Sequence, residues 1–342
     1  MSGRWLDEIE QLAREALPPS VHRYITQGAR DGVVTGEATA AWRAVRLLPR
    51  VLHDVTDVDL RTTLLGTEVA APVAVAPTTL QRAAHPDGEM AMAAAVRDEH
   101  GLMVVSSNAG TPFAEIGGTG VAWWLQAYLT QDRDLCRPML EAAAAHGARA
   151  VVLTLDTPVV GTKYDDGSPT VWDDVDVSFN RLNLGPAATA PKATDLGSDD
   201  LAWVGEVSGL PVVAKGVLRP DDARRCASSG AAAVWVSNHG GRQLDRAAAT
   251  ASCLAPVAAA LGSTSTEVYV DGGLRSGLDV LCALAAGARS VFLGRLPLLA
   301  LAAGGPDGVR RCLADVSEEL EESLRLAGYA GLTGLSDLIA PV

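Results

Sequence analysis

Eight short runs of apolar residues follow one another along the chain, and each is succeeded by a segment with helical character. Runs that are apolar throughout, without polar alternation, are typical of parallel strands buried on both faces. Eight such strand–helix units over roughly 250 residues predict an α/β fold, the (β/α)8 TIM barrel. The predicted strands are 72–77, 102–106, 121–127, 150–155, 212–214, 232–236, 267–270 and 290–293.

The barrel accounts for residues 71–342, and residues 1–70 predict a helical and loop extension in front of it. Within the extension, 4–30 predicts one or two helices broken at Pro18-Pro19, because proline ends a helix that precedes it. Residues 31–70 predict turns and short extended pieces that cover the barrel.

A doubly wound open sheet is the competing architecture. That fold normally places a glycine-rich phosphate-binding turn after its first strand. This chain has Ala76-Pro77-Thr78-Thr79 at that point, so the sequence favours the barrel.

Composition excludes several classes of protein. The net charge of −13 argues against nonspecific binding to nucleic acid or to an anionic membrane. The five cysteines are scattered without a Cys-x-x-Cys pair, which indicates reduced thiols in a cytoplasmic protein. The charged N-terminus does not resemble a signal peptide. No apolar run is long enough to span a membrane. The six histidines are too isolated to predict a metal site.

Polar and glycine residues follow every predicted strand. The active site of such a barrel lies at the carboxyl ends of its strands, so this distribution predicts the site. The residues concerned are Thr78, Thr79, Ser106, Asn108, Gln126, Tyr128, Thr154, Asp156, Lys215, Ser237, His239, Arg242, Asp271, Gly273, Arg275, Gly294 and Arg295.

The segment from Ser237 to Asp245 carries the strongest chemical signal. An imidazole at His239 and a guanidinium at Arg242 suit acid–base chemistry on an organic acid, since one can take a proton and the other can bind a carboxylate. Asp156 at the end of another strand either orients His239 or forms a structural salt bridge. Lys215 either forms a Schiff base or balances the charge of an anion.

The last two strands end in Asp271-Gly-Gly-Leu-Arg275 and in Gly294-Arg295. The loops at these positions form the usual phosphate site of such barrels, because exposed backbone N–H groups and arginines bind the anion. The segments predict a phosphorylated cofactor or substrate; tight turns with surface arginines are the alternative.

Several ordered motifs resemble those of the FMN-dependent (S)-2-hydroxy acid oxidases and dehydrogenases. They include Ala84-His-Pro-Asp-Gly-Glu89, Leu153-Thr-Leu-Asp-Thr-Pro158, Ala214-Lys-Gly216 and the segment from Ser237 to Asp245, and the resemblance covers nearly the whole chain. It implies an FMN cofactor, oxidation of a small 2-hydroxy acid to the 2-oxo acid, and reoxidation by oxygen, forming hydrogen peroxide, or by another acceptor. It also implies a homo-oligomer, a tetramer or an octamer.

The resemblance assigns roles to the catalytic and substrate-binding residues. His239 resembles the base that removes a substrate proton, and Asp156 resembles its paired carboxylate. Arg242 resembles the clamp on the substrate carboxylate. Tyr24 and Tyr128 resemble the phenols that bind the carboxylate and the hydroxyl.

The resemblance also assigns the flavin contacts. Lys215 resembles the cation that stabilises the reduced flavin. The contacts to the flavin ring would come from Thr78, Thr79, Ser106, Gln126, Thr154 and Ser237, and those to the ribityl phosphate from Asp271, Gly273, Arg275, Gly294 and Arg295.

Three features depart from the family pattern. Lys163 stands where members usually have a second carboxylate-binding arginine, and a lysine offers no two-pronged fork. It predicts weaker or differently oriented acid binding, or a role for Lys163 outside the pocket. Asn108 stands where glycolate-type members have a tryptophan, which predicts a larger, more polar pocket. The divergent segment 159–197 predicts a mobile lid.

Two alternatives to simple 2-hydroxy acid oxidation stay open. The departures at Lys163 and Asn108 favour an oxidative decarboxylase or tailoring oxidoreductase that acts on a larger, unusual hydroxy acid. A flavin-binding scaffold without activity is disfavoured by the intact set of tyrosines, lysine, histidine and arginine.

Overall fold

The structure, a computed structural model, describes residues 4–164 and 167–340, and its first elements form the extension in front of the barrel. Helices α1 (Trp5–Ala16) and α2 (Pro19–Thr26) meet at the predicted break, where Pro19 begins α2. Helix α3 follows, and then an antiparallel hairpin. These three elements are α3 (Val33–Arg43), β1 (Thr62–Leu64) and β2 (Thr67–Val69).

Helix α3 corrects the prediction of turns and extended pieces over 31–70. Its sequence contains β-branched residues and a glycine, which have weak helix propensity, so the local signal is poor. Packing stabilises the helix instead. The Trp42 ring is buried, and its Nε1 donates a hydrogen bond of 2.8 Å to the Gly272 carbonyl of the barrel. The extension is thereby attached to a loop at the barrel mouth.

Eight parallel strands form a closed barrel in the order β10-β3-β4-β5-β6-β7-β8-β9, which confirms the predicted (β/α)8 fold. The strands are β3 (Val73–Val75), β4 (Leu102–Ser106), β5 (Ala122–Ala127), β6 (Val151–Thr154), β7 (Val212–Val217), β8 (Ala233–Val236), β9 (Glu267–Val270) and β10 (Ser290–Leu293).

Helices surround the barrel in alternation with its strands. They are α4 (Gln81–Ala84), α5 (Gly88–Asp98), α6 (Phe113–Gly118), α7 (Arg137–Ala145), α8 (Val171–Asp174), α9 (Ser198–Ser208), α10 (Pro220–Ser228), α11 (Thr250–Leu261), α12 (Gly277–Ala285) and α13 (Arg295–Ala327). Helix α13 is interrupted by non-helical backbone at Gly304 and Gly305. No helix in the described ranges is both long and apolar enough to cross a bilayer.

The barrel interior is filled by large aromatic side chains that pack together beneath the polar residues of the strand ends. The rings of Trp124, Trp235, Tyr269 and Phe292 pack with centroids 3.9 to 6.4 Å apart. Leu64 of the β1–β2 hairpin is fully buried against this cluster. Burial of each such side chain contributes about 1.5–3 kcal/mol. The barrel interior is therefore a packed core rather than a channel, and the cavity lies above it at the carboxyl ends of the strands.

Candidate active site

A cavity of about 550 Å³ opens at the carboxyl ends of the strands. The extension, the strand ends and the segment 159–197 all contribute to its walls. The predicted site residues that line it are Tyr24, Thr78, Thr79, Ser106, Asn108, Gln126, Tyr128, Thr154, Lys163, Lys215, His239, Arg242, Asp271, Gly273, Arg275, Gly294 and Arg295. Asp156 and Ser237 lie just behind this wall and bond to residues that form it.

The pairing register of the barrel strands brings a row of polar side chains side by side at the strand ends. Ser106 of β4 pairs with Gln126 of β5, and Thr154 of β6 pairs with Lys215 of β7. The Gln126 Nε2 donates to Thr154 Oγ1 at 3.0 Å, and Ser106 Oγ donates to Gln126 Oε1 at 3.3 Å. These buried groups form a connected polar platform above the apolar core.

The platform continues into a buried charged network. The Lys215 ammonium lies 3.1 Å from Asp271 Oδ2 and donates to Ser237 Oγ at 2.8 Å. Ser237 Oγ in turn donates to Asp271 Oδ1 at 2.7 Å. The Lys215 side chain is 5 % exposed and that of Asp271 is 10 % exposed. Mutual pairing is the arrangement that makes two buried charges tolerable, and it holds the ammonium at the cavity floor.

His239 and Asp156 form the second charged pair of the site. His239 Nδ1 lies 3.0 Å from Asp156 Oδ1. Burial lowers the pKa of His239, while the neighbouring Asp156 opposes that shift. Burial alone would raise the pKa of Asp156, but the charge and hydrogen bond of His239, together with Lys215, bring it below its ordinary value. At neutral pH the pair is therefore a neutral imidazole beside a carboxylate, which is the state of a general base.

The backbone at His239 is left-handed, with φ +59°, and so are the two glycines that follow it. A non-glycine residue in this conformation costs roughly 1–3 kcal/mol and is concentrated at functional sites. Gly241 has no space for a side chain, because a Cβ there would lie 2.5 Å from Thr35 Oγ1. The tight turn thus packs on the extension and points the imidazole into the cavity.

Two residues beside Asp156 were missed as site residues by sequence reasoning. Thr157 Oγ1 donates to Asp156 Oδ1 at 3.1 Å. Gly216 has φ +105°, and a Cβ there would lie 2.7 Å from the Asp156 side chain. The strand register also shifts between Lys215 and Val217, as at a β-bulge that redirects a side chain. The sequence did offer a signal for both residues: Thr157 directly follows Asp156, and Gly216 directly follows Lys215, within motifs that carry predicted site residues.

The extension provides the support for Arg242. Arg242 Nη1 donates to the carbonyl oxygens of Tyr24 at 2.6 Å and Gln27 at 3.0 Å, and the guanidinium lies 4.8 Å from the centroid of the Tyr24 ring. No carboxylate of the described residues forms an ion pair with it. Arg242 is therefore a positioned cation on the cavity wall, able to bind an acid.

Tyr128 lies close to the His239–Asp156 pair. Burial and the Asp156 charge raise the pKa of its phenol, while a hydrogen bond with Thr157 opposes the shift. The phenol is thus protonated across the physiological range and acts as a hydrogen-bond donor. The structure brings Tyr24, Tyr128, His239 and Arg242 together around one cavity, as the sequence predicted.

Lys163 also lies on the cavity wall, but its ammonium is engaged by backbone. Its Nζ donates to the carbonyl oxygens of Gly161 at 2.7 Å and Arg242 at 2.6 Å. Burial, reinforced by the Arg242 charge, lowers the pKa of Lys163 to about 8. In this arrangement Lys163 fixes the loop that follows Arg242. It does not offer a carboxylate the two parallel N–H donors that an arginine would.

Arg275 and Arg295 place two further guanidiniums on the cavity wall. Burial lowers the pKa of both guanidiniums, that of Arg295 to about 9, and the charges of Arg242 and Arg275 push the Arg295 pKa further down. Neither forms an ion pair with a carboxylate among the described residues. Because Arg275 and Arg295 lie near each other without neutralisation, a bound anion would relieve their repulsion. A phosphate fits this requirement.

Comparison with known proteins agrees with this geometry. Residues 13–340 match the sequence pattern of the FMN-dependent dehydrogenase family. The chain is 37% identical to 2-hydroxyacid oxidase 1 of Homo sapiens over 94% of this chain and 91% of that protein. It is 35% identical to glycolate oxidase of Spinacia oleracea over 97% of this chain and 94% of that protein. A solved structure of mandelate oxidase with (S)-4-hydroxymandelic acid superposes with a TM-score of 0.89, at 33% identity over 97% of both chains.

The fold and the site define a flavin-dependent oxidoreductase built on a (β/α)8 barrel. The chain belongs to the FMN-dependent dehydrogenase family, and its cofactor is FMN. The residues present fit that cofactor: the unneutralised Arg275 and Arg295 suit its phosphate, and the polar platform with Lys215 suits a flat, hydrogen-bonding ring system.

Proposed function

We propose that this protein oxidises an (S)-2-hydroxy acid to the 2-oxo acid. The observation that carries the proposal is that the His239–Asp156 pair, at 3.0 Å, opens on the same cavity as the Arg242 guanidinium and the Lys215 ammonium. A base, a carboxylate-binding cation and a cation at the platform are the groups that this reaction needs.

Arg242 would bind the substrate carboxylate by charge-assisted hydrogen bonds, held in place by the carbonyl oxygens of Tyr24 and Gln27. The Tyr24 and Tyr128 phenols would donate to the carboxylate and the hydroxyl. Because both tyrosines are fixed by packing, the substrate loses its rotational freedom before the reaction begins.

His239 would take the substrate proton. Its Nδ1 faces Asp156, so Nε2 is the nitrogen that accepts the proton, whether it leaves the α-carbon or the hydroxyl. Asp156 then stabilises the imidazolium that forms. FMN, when bound, accepts the two electrons that leave the substrate. Lys215, paired with Asp271, would stabilise negative charge that develops at the platform.

The direct test is anaerobic addition of (S)-2-hydroxy acids of increasing size to the yellow holoenzyme. We expect loss of the oxidised flavin absorbance with at least one acid, and recovery of the colour when air is admitted if oxygen is the acceptor. Hydrogen peroxide in that second phase would identify an oxidase. A panel of small and large acids that leaves the spectrum unchanged contradicts the proposal.

The state of Lys163 favours a second candidate, oxidative decarboxylation or another tailoring oxidation of a larger hydroxy acid. Its Nζ binds two backbone carbonyls, which leaves Arg242 to bind the acid without a second fork. Product analysis distinguishes the two reactions, because only the decarboxylase releases carbon dioxide and a product one carbon shorter. Assembly as a tetramer or octamer and a cytoplasmic location remain predictions.

A further inference from the structure

Lysine is rare in this chain and confined to one place. The sequence contains three lysines among its 28 basic residues: Lys163, Lys192 and Lys215. All three line the same cavity. Arginine supplies the cations elsewhere. Lys215 belongs to the platform and Lys163 binds backbone carbonyls, whereas Lys192 has no role in the chemistry derived above.

The backbone around Lys192 is fixed at the end of the divergent segment 159–197. Lys192 forms an antiparallel bridge with Thr130, in the loop that follows β5. The amide nitrogen of Gln131 donates to the Pro191 carbonyl at 3.0 Å, and that of Ala193 donates to the Leu129 carbonyl at 2.9 Å. These bonds place Lys192 beside Tyr128, so its position is set by the barrel.

The Lys192 side chain is half-buried and points at the cavity. Its Nζ lies 3.6 Å from the centroid of the Tyr128 ring. In the part of the chain that the structure describes, no carboxylate lies within ion-pair distance of it. A partly desolvated ammonium whose only close partner is an aromatic face retains most of its capacity to bind an anion.

Arg242 and Lys192 lie against different aromatic rings of the cavity wall. Arg242 lies against the Tyr24 ring and acts electrostatically on Lys163. Lys192 lies against the Tyr128 ring, and the charges that act on its pKa are those of Arg181 and Asp156, with burial as the larger cause of its lowering. A ligand held at Arg242 by one carboxylate would leave Lys192 available to a second anionic group.

We propose that Lys192 binds a second carboxylate of the substrate, so that the preferred substrates are 2-hydroxy dicarboxylic acids. The assignment rests on the proposed oxidation of a 2-hydroxy acid at this same cavity. Arg181, exposed at the cavity mouth near Lys192, would add positive potential for an approaching dianion. The smaller polar Asn108 contributes to the same cavity and leaves room for the longer acid.

The kinetic test compares (S)-2-hydroxyglutarate with its side-chain amide, which has the same shape and one charge fewer. We expect the wild-type holoenzyme to prefer the diacid in kcat/KM by about tenfold or more, the usual strength of a charged hydrogen bond. Lys192→Met should abolish the preference, mainly through KM, and Lys192→Arg should retain it. Four- and six-carbon diacids with their amides extend the series.

Three kinetic results overturn the assignment while leaving the oxidation itself intact. One is a wild-type enzyme that oxidises every amide as well as its diacid. Another is a Lys192→Met variant that keeps the full preference. The third is an equal loss for diacid and amide, which would show that Lys192 acts on the shared α-carboxylate. Absence of flavin bleaching with any acid is a failure of the proposed function instead.

A binding test works without turnover. The holoenzyme is acetylated with limiting acetic anhydride, with and without glutarate, and modification of each lysine is measured by peptide mass spectrometry. We expect glutarate to protect Lys192 several-fold more than its monoamide does, whereas Lys163 and Lys215, which line the same cavity, should be protected equally by the two probes. Equal protection of Lys192 by the two probes, or none by either, contradicts the proposal even if no substrate has been found.

Discussion

The strand ends and the segment 159–197 line the same cavity in different ways. At the strand ends two pairs of titratable groups face each other: His239 with Asp156 at 3.0 Å, and Lys215 with Asp271 at 3.1 Å. In the segment, Lys163 is held by carbonyl oxygens and Lys192 by an aromatic face. The barrel thus holds these two pairs in buried networks, whereas the segment holds Lys192 without a carboxylate partner among the described residues. Substitutions should separate these two roles.

His239→Ala should have the largest effect. Loss of a general base typically costs 10²–10⁴-fold, so we expect flavin reduction to slow by about 10³-fold or more, with FMN still bound. Stopped-flow absorbance under anaerobic conditions measures the rate. Reduction at the wild-type rate would remove His239 from the proposed role.

Asp156→Asn should have the next largest effect and slow flavin reduction by about 10²-fold or more. The substitution removes the charge that stabilises the imidazolium and the hydrogen bond that orients the imidazole. The same stopped-flow experiment applies. The effect should fall on the reduction rate rather than on substrate binding, and a change confined to KM would contradict this assignment.

Arg275→Met should weaken FMN binding by about 10–100-fold, the range expected for loss of a charged hydrogen bond. Titration of apoprotein with FMN, followed by flavin fluorescence, measures the affinity. Arg289→Met is the matched control, because Arg289 bonds to Thr63 at the opposite end of the barrel. Equal loss in both variants would indicate general destabilisation.

If His239 is the base, as proposed, the His239–Asp156 pair should give the pH profile an acid limb and no alkaline limb. His239 must be neutral to act, and burial holds its pKa below the ordinary value of 6.5. We therefore expect kcat/KM to be constant near pH 7 and to fall about tenfold per pH unit once the pH drops below that pKa. An acid limb centred above pH 6.5 would show that the imidazole is more solvated than the structure indicates.

Lys163→Met should have the smallest effect, a few-fold rise in KM, because the ammonium binds Gly161 and Arg242 through backbone carbonyls. Since burial lowers the Lys163 pKa to about 8, any alkaline limb near pH 8 in the wild-type profile should disappear in this variant. A 10²-fold or larger loss of kcat/KM would instead place Lys163 directly on the substrate.

The strand-end residues were predictable because their positions follow from local pattern. An apolar run defines each strand, and the first polar residue after it must face the mouth of a parallel barrel. The segment 159–197 has no such pattern, so Lys192 was not singled out, although its rarity as one of three lysines was a usable signal. Helix α3 was missed since its weak local propensity is compensated by the Trp42 contact with Gly272.

The sequence by itself determined the barrel and the residues at its mouth, because burial on both faces imposes apolar strands and leaves the chemistry to their ends. Only the tertiary structure decided which group each cation of the cavity contacts. Whether Lys163, Lys192 or Lys215 pairs with a carboxylate, a carbonyl or a ring depends on contacts between segments far apart in the chain. Those contacts set the local solvation and charge, which no single stretch of sequence encodes.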